Sequence, residues 1–255
     1  MKVLYITDQF PNPSQSFISR EVLGLERLGL QLAILSLSYR NESEPCHAIN
    51  REIRAPVFYG PDFKASYLRK ICYHLHDIGV NPITYLKVMH MSRIQGFPSM
   101  QYMFRHLPVY CRLIQTWEAE HLHAHFGRVG ALLAWLAGSM LGIPFSVTLH
   151  GSDILVDPYP ALGILLQHAK LVVCVSNQIR DKVENNYGIQ PERVAVIRCG
   201  VDTEEYKPSS VTNGRMKILS VARLHPVKGV NDLITACGLL REKGIDFECT
   251  IIGEG

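Results

Sequence analysis

Apolar positions along this chain fall into short β-branched runs separated by stretches in which they recur every three or four residues. Lys2 to Thr7 reads as a strand and is followed by a Pro11-Asn12-Pro13-Ser14 turn. From Ser16 onward Ile18, Val22, Leu25 and Leu28 share one helical face that ends at Gly29. Leu32 to Leu37 predicts a second strand. The alternation resumes with a helix over Val129 to Leu141, a strand over Phe145 to Leu149 and a helix over Tyr159 to His168. A strand over Leu171 to Val175, a helix over Asn177 to Tyr187 and a strand over Val194 to Ile197 complete it. Short apolar strands alternating with helices bounded by Gly or Pro predict an α/β fold, a parallel sheet covered on both faces.

Two segments depart from that rhythm. Between Pro61 and Thr116 the chain is rich in Tyr, His, Met and Leu and reads as a helical insertion broken at Gly79, Pro82, Gly96-Phe97-Pro98 and Pro108. After Ile197 a polar stretch through Asn213 and Gly214 has the composition of a linker. Beyond it a strand (Lys217 to Ala222), a helix (Val230 to Arg241) and a strand (Phe247 to Ile252) form a single strand-helix-strand unit. The expected organisation is therefore a domain over 1–200 with its insertion at 61–116, a linker over 201–214, and over 215–255 the start of a second domain too short to bury both faces of its sheet.

Composition narrows the class. The chain has 255 residues, 47% of them hydrophobic and 19% charged, which is globular, and its 26 Lys and Arg against 23 Asp and Glu leave only +3, so nucleic acid is not an expected partner. The charge is unevenly placed. Lys64, Arg69, Lys70, Lys87, Arg93, Arg105 and Arg112 face Asp77 alone between Lys64 and Thr116. A basic, aromatic insertion suits the surface of an anionic membrane, and equally a helical subdomain that packs on the sheet. Seven cysteines without a close pair point to a reducing compartment, the cytoplasm, and the N-terminus lacks the hydrophobic stretch of a signal peptide.

Ligands of open parallel sheets bind beyond the carboxyl ends of the strands, which selects four segments. The loop Asp8 to Phe17, with Gln15 and Ser16, precedes a helix N-terminus that offers free N–H groups. It lacks the Gly-x-Gly-x-x-Gly of a dinucleotide site. His121, His123 and His125 alternate along one strand, followed by Gly127. With no cysteine pair, His-Glu-x-x-His or nearby carboxylate cluster they carry no metal assignment, and His125 and Gly127 are expected to line a cleft. His150-Gly151-Ser152-Asp153 sets an imidazole and a carboxylate at a strand end, suited to binding a hydroxyl or handling a proton, or to capping the next helix. Arg223 leaves another strand end, with Lys228 before a helix start. Such a pair can clamp a diphosphate or lie solvated at the surface.

In their order along the chain, Thr148 to Asp153, Arg198-Cys199-Gly200-Val201-Asp202, and Ser220 to Leu224 through Lys228-Gly229 resemble the retaining glycosyltransferase family 4, also called group 1 glycosyltransferases. Pro13 to Glu21 and His121 to Gly127 resemble its colanic-acid and exopolysaccharide branch. The resemblance implies the GT-B fold, two Rossmann-like domains, with the acceptor held by the first and a nucleotide diphosphate sugar by the second, and no metal or other cofactor. It implies Arg223 and Lys228 as the diphosphate pair and His150, with Asp153 in the same motif, as the catalytic group. The first loop departs from the Gly-Gly pattern common in the family, and Asp8, Gln15, Ser16, His125 and Gly127 are expected from their strand-end positions to form the acceptor cleft. The family's Glu-x7-Glu motif would fall after Gly255, so the second domain is expected to be cut short. The implied reaction moves a hexose, with retention, to a lipid-linked or saccharide acceptor at the inner face of a bacterial membrane. A sugar-nucleotide epimerase of the same fold and a non-catalytic binding module are the rival readings.

Overall fold

A computed structural model describes residues 1–40, 46–62, 65–94, 98–204, 207 and 215–255. It divides into two compact units, Met1–Gly200 and Val201–Gly255.

The first unit is built on strands β1 (Lys2–Gln9), β2 (Gln31–Ser38), β3 (Val57–Tyr59), β4 (His121–His125), β5 (Phe145–Leu149), β6 (Leu171–Cys174) and β7 (Val194–Val196). They lie in the order β3-β2-β1-β4-β5-β6-β7 and every pairing is parallel. The chain runs outward from β1 to β3 and returns to the other side of β1 with β4. The strand order therefore reverses between β1 and β4, where a parallel sheet opens a crevice at its carboxyl edge.

Residue alternation divides the sheet into two chemically different faces. Leu4, Ile6, Ala33, Leu35, Leu122, Ala124, Val147 and Leu149 point to one side and are buried in the main core. That face is covered by helices α4 (Pro98–Trp117), α5 (Val129–Leu141), α6 (Leu162–His168) and α7 (Asn177–Tyr187). Helix α5 is apolar all round because it has strands beneath it and α4, α6 and a further helix, α3 (Pro82–Ile94), around it. Its close seat on β1 needs Gly130, where a Cβ would lie 3.3 Å from the Ile6 carbonyl oxygen. The opposite face carries Val3, Tyr5, Leu32 and Ile34, packed under Ile18 and Val22 of α1 (Ser16–Arg27). Along β4 and β5 that same face turns polar, with His121, His123, His125, Ser146 and Thr148 in register.

The insertion forms three helices, α2 (Tyr67–Val80), α3 and α4. The break expected at Pro108 does not occur. Pro108 lies within α4, where Leu107, Val109, Tyr110 and Cys111 are all buried, and packing on α5 outweighs the hydrogen bond that a proline removes. Asp77 of α2 is buried and accepts from the Arg112 guanidinium of α4 at 2.7 Å, which ties the insertion together. Helix α6 begins at Leu162 rather than Tyr159, after Pro160 and a turn closed by the Leu162 N–H on the Tyr159 carbonyl at 2.8 Å. Residues 64, 96 and 97 of the insertion and residues 205, 206 and 208–214 of the expected linker lie outside the described residues.

The second unit pairs β8 (Met216–Val221) with β9 (Phe247–Ile252) in parallel, joined by helix α8 (Val230–Glu242). The pairing continues past both strands, through Ala222 N–H to the Ile252 carbonyl at 3.0 Å and Leu224 N–H to the Glu254 carbonyl at 2.9 Å.

Candidate active site

The carboxyl ends of β4 and β5 bring together residues that the sequence separates. His150 follows β5 directly, and its ring packs against those of Phe17 and Phe126, with centroids 4.4 and 4.5 Å away. Phe17 comes from the first turn of α1. Phe126 adopts φ +67°, a left-handed conformation that is strained for a bulky residue, held by its N–H on the Thr148 carbonyl at 2.8 Å. The strain swings an aromatic ring over His150. Burial lowers the His150 pKa to about 4 against the opposing pull of Asp153, so the imidazole is neutral near pH 7.

His150 Nε2 lies 3.0 Å from His125 Nδ1, within hydrogen-bond distance. The β4 histidines that precede it are held from β5. Ser146 Oγ lies 2.7 Å from both His121 Nε2 and His123 Nδ1, and Thr148 Oγ1 lies 3.1 Å from His123 Nε2. Burial pushes the His123 pKa down to about 3, with the charges of His121 and His150 acting in the same direction, and drives His125 well below its usual value. The row is thus a set of neutral, fixed imidazoles.

Asp153 is fully buried and accepts from the Gly127 N–H at 2.8 Å and the His150 N–H at 3.0 Å. Its two oxygens tie the loop after β4 to the loop after β5, which is the geometry of a residue that positions His150. Gly151 makes the intervening turn at φ +107°. Gly127 packs closely under Leu162 and Leu149, since a Cβ there would lie 2.4 Å from Leu162 Cδ1 and 3.0 Å from Leu149 Cδ2 and would displace those side chains.

Asp8 is the next-to-last residue of β1 rather than part of the loop after it, beside the start of α5. Its carboxyl pKa is raised by desolvation, against a hydrogen bond from the Gly130 N–H and the charge of Arg128. Gln15 and Ser16 are half-buried at the start of α1, beside Phe17. The first unit therefore gathers His125, Gly127, His150 and Asp153 into one cluster, with Asp8 and Ser16 along the same sheet edge. Arg223 and Lys228 belong to the second unit, where both are exposed. Arg223 follows β8, and Lys228 ends the short turn Pro226–Lys228 before α8. The backbone carrying Arg223 is closely flanked by Gly253 and Gly255, at which a Cβ would meet the carbonyl oxygens of Ala222 and Leu224 at 1.8 and 2.7 Å.

A model of the family described as Glycosyltransferase Family 4 matches residues 16–205. The chain belongs to glycosyltransferase family 4. Residues 202–255 match the model described as Glycosyl transferases group 1. Among similar proteins, the putative colanic acid biosynthesis glycosyltransferase WcaL of Salmonella typhimurium is 25% identical over all of this chain and 64% of its own length. The amylovoran biosynthesis glycosyltransferase AmsK of Erwinia amylovora is 28% identical over all of this chain and 65% of its own length. The chain thus spans just under two thirds of these relatives. A glycosyltransferase from Rickettsia africae ESF-5 has a similar fold, with TM-score 0.60 and 16% identity over 99% of this chain and 60% of that one. So does the UDP-GlcNAc 2-epimerase of Neisseria meningitidis, with TM-score 0.58 and 12% identity over 98% of this chain and 65% of that one. The fold class is GT-B, with a helical insertion in its first Rossmann-like domain and β8, α8 and β9 in the second.

Phe17, Phe126, Glu21, Tyr5, Ser146 and Thr148 are site residues that the sequence reading did not single out. For Ser146 and Thr148 a signal existed: polar residues alternating in a strand beside an alternating histidine strand belong on a shared face. For the phenylalanines there was none, since an aromatic beside a turn is ordinary core.

Proposed function

We propose that the protein carrying this chain transfers a hexose from a nucleotide diphosphate sugar to a lipid-linked or saccharide acceptor in exopolysaccharide or envelope polysaccharide synthesis, with retention of configuration. The observation that carries the reading is His150, a neutral imidazole packed against Phe17 and Phe126, which follow β1 and β4, the strands between which the order reverses. Its Nε2 is engaged by His125, whereas its Nδ1 has no hydrogen bond among the described residues and can meet a sugar hydroxyl. Aromatic rings flanking a polar group suit a sugar, which has apolar C–H faces and a polar edge. Asp153 and Gly127 hold His150 in place, and Asp8, Gln15 and Ser16 supply polar groups along the same edge. The acceptor hydroxyl attacks the anomeric carbon on the side from which the nucleoside diphosphate departs. Arg223 and Lys228 neutralise the charge that collects on that leaving group. The relatives' names, which concern colanic acid and amylovoran biosynthesis, support the polysaccharide context.

Replacing both cations tests the assignment. In the protein carrying this chain, Arg223→Ala with Lys228→Ala is expected to cut transfer from nucleotide diphosphate sugars by on the order of 100-fold or more with the fold unchanged by circular dichroism. Wild-type rates would remove the diphosphate role. The epimerase of similar fold gives a second reading its footing, and the same assay separates the two, since epimerisation proceeds from the donor alone.

The insertion supports peripheral association with an anionic membrane at the cytoplasmic face. Leu68, Ile71, Leu75 and Ile78 form an exposed stripe on α2, and Ile83 and Leu86 extend the apolar surface on α3, with Arg69 and Lys87 exposed beside them. Among the described residues no helix is long and apolar enough to cross a membrane.

A further inference from the structure

On sequence alone the β4 histidines have no carboxylate cluster beside them. Helix α1 supplies a carboxylate, laying Glu21 over the polar face so that its Oε1 is 3.7 Å from His125 Nε2 and 4.0 Å from His123 Nε2. We propose that Glu21, His123 and His125 form a binding site for a single divalent transition-metal ion of the zinc class, adjoining the sugar-binding edge through His125.

The donor atoms of the three residues lie within 4.8 Å of one another. The His125 side chain is fully buried, and its Nε2 has no hydrogen-bond partner. A buried ring nitrogen left unpaired beside a carboxylate oxygen is costly without an ion or proton between them. The surrounding groups match those that orient metal ligands. His123 Nδ1 is held by Ser146 Oγ at 2.7 Å and His125 Nδ1 by His150 Nε2 at 3.0 Å, while the Tyr5 hydroxyl donates to Glu21 Oε1 at 2.7 Å. Thr148 Oγ1, 3.1 Å from His123 Nε2, is a hydroxyl that can rotate to release that nitrogen.

Two imidazoles and a carboxylate are a zinc-type set that leaves a fourth position open. Tetrahedral ligands about 2.1 Å from the ion stand about 3.4 Å apart, so Glu21 must close on both ring nitrogens by several tenths of an ångström, and the widest pair of a set that spans up to 4.8 Å must close by more. Glu21 can make its share of that movement, being 40% exposed and set on a surface helix, and the rest requires the His123 ring to turn toward His125; Glu21 also marks the side from which an ion arrives. A metal on His125 Nε2 keeps the ring proton on Nδ1, where it donates to His150 Nε2 and leaves the His150 proton on Nδ1. The ion would thereby set which partner His150 offers a ligand, a consequence that rests on the reading of His150 above, whereas the binding site itself does not.

Titration of the metal-free chain with Co(II), followed by visible d–d absorption and by calorimetry, tests the site. One equivalent is expected to bind with a tetrahedral spectrum and to be displaced by Zn(II). Glu21→Gln and His125→Gln are each expected to weaken binding at least about tenfold, while His90→Ala on the exposed face of α3 leaves it unchanged. Zn(II) should also raise the melting temperature of the wild-type chain and not that of Glu21→Gln. Unaltered binding in both site variants, or no saturable binding to the wild type, would overturn the proposal. Glu21→Gln alone suffices if His125→Gln does not fold.

Discussion

At the residue scale, the candidate site is assembled by groups whose side chains are already committed to the protein. Asp153 is the clearest example, because its position three residues after His150 reads as a second cleft group, yet both its oxygens bind backbone N–H groups at zero exposure. Asp8 is the converse, a carboxyl at the sheet edge, exposed at its surface, whose pKa is raised by desolvation over the opposing pull of the Gly130 N–H and Arg128. A carboxyl with a folded pKa above its unfolded value favours the native state when protonated, and that advantage fades as pH rises through the interval between the two values. Asp8→Asn is therefore expected to melt at a higher temperature than the wild type at pH 7, with the difference closing as the pH falls toward about 4. Thermal melts across that range check it. A wild-type protein more stable than the variant at pH 7 would mean that Arg128 and the Gly130 N–H over-compensate the desolvation.

At the element scale, periodicity was a faithful guide where one face of each element is buried and misleading where packing overrules local preference. Helices Val129–Leu141 and Asn177–Tyr187 and strands Phe145–Leu149 and Phe247–Ile252 end where their apolar patterns end. Helix α4 runs through Pro108 because its buried flanks contribute more than one backbone hydrogen bond. The three-residue strand β3 is too short to show a period at all. In the insertion Asp77, Tyr85 and Val88 are buried inward, and the outer stripe of α2 is exposed. Leu75 is 63% exposed, so Leu75→Glu leaves packing intact and removes an apolar group that would enter a bilayer. Flotation with vesicles containing anionic lipid is expected to show about a tenfold loss of binding for this variant. Equal recovery of both proteins, or no binding of the wild type, would assign the insertion to packing alone.

At the scale of the whole molecule, the two units differ in how completely they bury themselves. The first has a seven-stranded sheet with a helical layer on one face and α1 on the other. The second has two strands and one helix, and Leu219, Val221, Ile234 and Leu239 remain more than half exposed. A fragment of residues 1–200 is therefore expected to melt cooperatively, and a fragment of residues 201–255 to show no cooperative transition by circular dichroism. A sharp transition in the shorter fragment would show that two strands and a helix suffice. What the sequence determined by itself was the alternation of strands and helices, hence a parallel sheet, and the strand ends at which polar residues collect, because both follow from local periodicity and the direction of the chain. Only the tertiary structure decided which of those residues meet. Strand order set β4 beside β1 and β5, pleating put the histidines on the face of Ser146 and Thr148, and the packing of α1 delivered Phe17 to His150 and Glu21 to His125. These are contacts between distant segments, fixed by burial of the whole sheet rather than by any short pattern of residues.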